Sequence, residues 1–85
     1  MLTDLVTLRE IENDIVTTCE RIHKGVSTAD DDMLLCMMED LAQLAYFLHH
    51  FACETEEWTC FTACVEYRES LDGICRNLFH RLMSN

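Results

Sequence analysis

At 85 residues the chain has room for one domain, and a domain of this size buries only roughly 60% of the surface its unfolded form exposes. Apolar residues make up 49% of it, enough for a core and too many for a disordered tail, while two glycines and no proline leave too little turn chemistry for a sheet protein. Sixteen acidic against six basic residues, a formal net charge of −10, argue against direct binding of nucleic acid or anionic membrane, since both require basic surface.

Leu5, Leu8, Ile15, Cys19, Ile22 and Val26 recur at helical spacing, interrupted by Glu12, and form the apolar seam of a first amphipathic helix over about 3–24. Thr3 suits its N-cap, Asp4 its first turn, and His23-Lys24-Gly25 its end. The opening MLTDLVTLREIEND has neither the basic flank nor the continuous apolar run of a secretory signal, so a reducing, cytoplasmic setting is expected. In that setting Cys19, Cys36, Cys53, Cys60, Cys64 and Cys75 read as small apolar residues rather than as a disulfide framework.

The second helix is expected over about 28–53, capped by Ser27 or Thr28, with Asp30, Asp31 and Asp32 at the positive end of its dipole. Its strongly polar residues after Met33 are few: Glu39, Asp40, Gln43, His49 and His50. Apolar residues therefore surround most of its circumference. One stripe (Met33, Met37, Leu41, Leu44, Leu48, Phe51) suits the chain's own core, and a second (Leu34, Met38, Ala45, Tyr46, Ala52) calls for a partner.

Beyond Cys53 the apolar phase slips, which places a tight turn within Glu54 to Glu57 and makes Thr55 the N-cap of a third helix over about 56–82. Its seam is Cys60, Cys64, Tyr67, Leu71, Ile74 and Leu78, and Gly73 is an interior weakness of ~1 kcal/mol relative to Ala. Three helices of similar length on short connections predict a single all-α domain over 1–85, an antiparallel up-down-up bundle assembled as a dimer. The alternative, with no Gly or Pro at the turn, is a first helix plus one long bent helix in an oligomeric bundle.

The stretch LAQLAYFLHHFAC, residues 41–53, raises two site questions. Thirteen uncharged residues preceded by Glu39 and Asp40 are too short for a membrane span, which takes ~20 apolar residues. His49 and Cys53, and Cys60 and Cys64, are each one helical turn apart, so a Cys₃His zinc staple across the turn is a minor candidate against the reading that the cysteines are core. No nucleophile stands beside a poised base, and Arg9, Arg21, Arg68, Arg76 and Arg81 are the only arginines that could gather round an anion.

Residues 28–57 carry eight acids and no Lys or Arg. They concentrate at Asp30, Asp31 and Asp32 and at Glu54, Glu56 and Glu57, the two ends of the second helix, which suits docking of a basic protein surface better than a continuous imitation of DNA phosphates. The sequence thus leads to a non-enzymatic interaction module without cofactor, self-associating and inhibiting or chaperoning another protein, of a size and charge found in bacterial and viral adaptors. The alternatives are a zinc-stapled helical domain, or an acidic DNA mimic that inhibits a nucleic-acid-binding protein.

Overall fold

A computed structural model describes residues 2–84, of which Leu2 is placed by its backbone alone. The described residues form three long helices and no strand: α1 (Leu2–Gly25), a single 3₁₀ turn (Val26–Thr28), α2 (Asp31–Glu54) and α3 (Trp58–Ser84). The chain is all-α, and its extents of 46 × 18 × 15 Å are those of helices lying lengthwise, since 27 residues at a 1.5 Å rise span ~40 Å.

The helix junctions differ from the sequence reading in their chemistry. Gly25 takes φ −102° and ψ −13°, a right-handed conformation open to any residue, so it does not end α1 as a left-handed cap. The chain tightens into the 3₁₀ turn instead, with Ala29 N–H bonding back to the Val26 carbonyl. This turn occupies Ser27 and Thr28, and the N-cap of α2 passes to Asp30, whose Oδ1 accepts from Met33 N–H at 2.9 Å. Asp31 and Asp32 then fall in the first turn, where the helix dipole favours carboxylates.

Thr55, Glu56 and Glu57 interrupt the helix, which sets aside the single long bent helix. Thr55 closes α2 through its N–H to the Phe51 carbonyl and, three residues before Trp58, is not the expected N-cap of α3; Glu57, whose carbonyl accepts from Phe61 N–H, holds that position. The Thr55 hydroxyl accepts from Glu57 N–H at 3.2 Å and donates to Asp4 Oδ2 at 2.8 Å, tying the turn to the start of α1.

Leu34, Met37, Leu41 and Leu48 from α2 and Cys60, Cys64, Leu71 and Leu78 from α3 make most of the buried core, with Leu8 and Ile22 from α1. Among the described residues no polar side chain is buried with them. α2 and α3 are closely apposed, and α1 approaches the pair less closely. Leu5 and Met33, expected in the core, are 49% and 47% exposed; at the start of α2 it is the neighbouring Leu34, with no exposed surface, that turns inward instead. No helix among the described residues is long and apolar enough to cross a membrane.

Candidate interaction surface

The expected partner stripe of α2 divides when placed on the structure. Leu34 is fully buried and belongs to the chain's own core, while Met38, Ala45 and Ala52 are half-buried against that core; Tyr46 alone remains open, at 61% exposure. The reason is that α2 is flanked on both sides. Asp40 pairs with Arg21 of α1 and His49 meets Arg68 of α3, so the arc of α2 between those neighbours is covered, Leu34 included.

The exposed apolar surface lies elsewhere, and α3 carries much of it: Trp58 at 77%, Phe61 at 39%, Val65 at 40%, Phe79 at 49% and Met83 at 69%. Trp58 stacks on Phe61 with ring centroids 5.6 Å apart. On α2, Tyr46 packs edge-to-face on His50 at 4.3 Å beside Phe47, which is 58% exposed. Between α2 and α3 runs an open groove of about 530 Å³ lined by Met38, Asp72, Cys75, Arg76 and Phe79. The signal for this surface was in the sequence: steps of three and four starting from Trp58 trace a second seam on α3, offset from the one that fills the core.

The two carboxylate clusters flank this region at the ends of α2, separated by ~36 Å of helix. Asp30, Asp31, Asp32, Glu54 and Glu56 are exposed and Glu57 is half-buried. Beyond capping, they give the molecule two acidic poles.

The zinc staple is not assembled. His49 Nε2 lies 3.8 Å from Cys53 Sγ on the exposed side of α2, whereas Cys60 and Cys64 are fully buried in the core. Among the described residues no three His, Cys, Asp or Glu side chains come together as a metal site. All six thiols are free. Burial pushes the Cys64 thiol up, with the neighbouring Cys60 adding to the shift, and burial alone raises Cys19; both are held as neutral thiols.

Three of the five arginines serve separate contacts rather than one anion site. Arg21 pairs with Asp40, Arg68 Nη1 lies 3.3 Å from His49 Nδ1, and Arg81 donates to the Ser27 carbonyl at 3.2 Å. Among the described residues the strongly shifted group is Tyr67, pushed up to about 12 chiefly by its hydrogen bond to Glu12 and further by burial and by that carboxylate's charge. That contact joins α1 to α3. No protein-family model, curated protein or solved structure matches this chain.

Proposed function

We propose that this chain is a non-enzymatic protein-interaction module: an antiparallel, up-down-up three-helix bundle that self-associates and modulates a second protein by occupying its surface. Large aromatic side chains left in solvent carry the reading, Trp58, Tyr46 and Phe47 above all, on a chain too small to spare them for its own core. Exposed aromatics are the residues that dominate binding energy at protein interfaces. The up-down-up order is supported by the level at which side chains meet: Asp4 with Thr55, Glu12 with Tyr67 and Ser27 with Arg81 keep the order of α1 along α3, and Arg21 with Asp40 reverses it along α2.

The acidic poles at Asp30–Asp32 and Glu54–Glu57 favour a target with basic patches and an inhibitor or chaperone-like adaptor as the role. Six unpaired thiols suit a reducing cytoplasm, in a bacterial cell or a virus-infected host. Native mass spectrometry of the chain isolated gently from its own cells tests this. A homodimer, or a stoichiometric complex with a basic protein, is expected, and a strict monomer without a bound protein overturns it.

A further inference from the structure

We infer that the second copy docks through the outer seam of α3, running antiparallel to its counterpart about a two-fold axis near Ser70. This rests on the self-association proposed above and adds the surface, the direction and the register. Stepping by three and four along α3 from Trp58 gives Phe61, Val65, Arg68, Asp72, Cys75, Phe79 and Leu82, a heptad-type line that is apolar towards both ends and charged only at its centre.

The charged centre decides the direction. A parallel pairing in register would set Arg68 against Arg68 and Asp72 against Asp72, four buried like charges in two unfavourable contacts. Turning one copy end for end about Ser70 brings Arg68 of each copy to Asp72 of the other, twice by symmetry. The same register places Phe61 over Phe79 and Val65 over Cys75, and brings Trp58 to Leu82 and Met83. One alignment thus satisfies the charges and the apolar pairs together, which is the use best attested for a polar pair within an apolar seam.

Trp58, Phe61, Val65 and Phe79 are exposed along this line, while Cys75 and Leu82 are half-buried where it borders the chain's own core. Arg68 and Asp72 are exposed, and the contact of Arg68 with His49 engages one guanidinium nitrogen of a group that has five N–H donors. The incoming Phe61 ring meets an open groove of about 530 Å³ lined by Met38, Cys75 and Phe79 together with Asp72 and Arg76. In a chain of net charge −10, this centre of matched charge is where two copies can meet without adding to their repulsion.

Charge reversal on the full chain tests the pairing, read by sedimentation equilibrium at micromolar concentration with circular dichroism to verify helicity. Arg68→Glu and Asp72→Arg, each alone, should weaken the dimer by roughly 100-fold, since each creates two like-charge contacts, and the double variant should restore it. Both residues are exposed, so helicity should survive. A wild-type chain that stays monomeric overturns self-association and this inference with it. A wild-type dimer that persists in either single variant, or that the double variant fails to restore, overturns the α3 pairing and leaves self-association standing.

Discussion

The Tyr67 hydroxyl of α3 donates to Glu12 Oε1 of α1 at 2.7 Å, across 55 positions of sequence. Glu12 is the residue that interrupts the apolar seam of α1, and the bond explains how a carboxylate is accommodated there: a phenol from another helix meets it at the half-buried edge of the core. Because α1 approaches the other helices less closely than they approach each other, this bond and the one from Thr55 to Asp4 bear on how α1 is held. Tyr67→Phe should lower unfolding stability by about 1 kcal/mol, the usual net worth of such a bond, measured by urea denaturation. No change would mean that water replaces Glu12 without loss.

The same bond sets a pH dependence. A tyrosine in the unfolded chain titrates near 10, and Tyr67 in the folded chain at about 12, so the folded state holds its proton longer. The stability from this contact is complete below pH ~10 and is lost as pH rises through about 12. Thermal melts between pH 8 and 12 should show the wild type losing its advantage over Tyr67→Phe in that window. A difference that is constant with pH would refute the linkage.

Leu34 separates the core reading from the partner reading of α2. With no exposed surface, Leu34→Ala should cost about 2–5 kcal/mol, a large part of the ~4–13 kcal/mol available to a chain of this length. Leu35→Ala, at a residue 46% exposed, should cost well under half as much. Equal losses in urea denaturation would show that the two neighbours are not divided between core and surface as described.

Capping at the start of α2 can be tested in the same way. Asp30→Ala removes the acceptor for Met33 N–H and should destabilise by about 1 kcal/mol, while Ser27→Ala should be close to neutral. At Gly73 the direction reverses: an added Cβ meets nothing within 4 Å, so Gly73→Ala should raise stability by roughly 0.5–1 kcal/mol, seen as a higher Tm.

Thiol chemistry reports the core directly. Cys36 and Cys53 are exposed and should alkylate rapidly in the native protein, whereas Cys60 and Cys64 should react only on unfolding. Peptide mapping after brief treatment with iodoacetamide distinguishes them. Chelator should leave the melting temperature unchanged, because the Cys60 and Cys64 side chains face the core rather than His49 and Cys53.

Helical periodicity and the near absence of Gly and Pro were sufficient to read three helices in this chain, and the phase slip after Cys53 located the break between the second and third. These are local properties, set by 3.6 residues per turn and by which residues resist the helix. Caps were less legible, because Ser27, Thr28 and Asp30 all have the right chemistry and only the backbone path through a 3₁₀ turn selects Asp30. The core stripe through Met37, Leu41 and Leu48 was legible in α2, but only tertiary structure decided how far the covered arc extends, since a helix apolar nearly all round carries no mark of where its neighbours end. Leu34 turns inward and Tyr46 outward for that reason, whereas the burial of Cys60 and Cys64 followed from the apolar seam of α3. Glu12 shows the division most clearly: its place in an apolar seam was visible in the sequence, and the hydroxyl that answers it came only with the packing of α3.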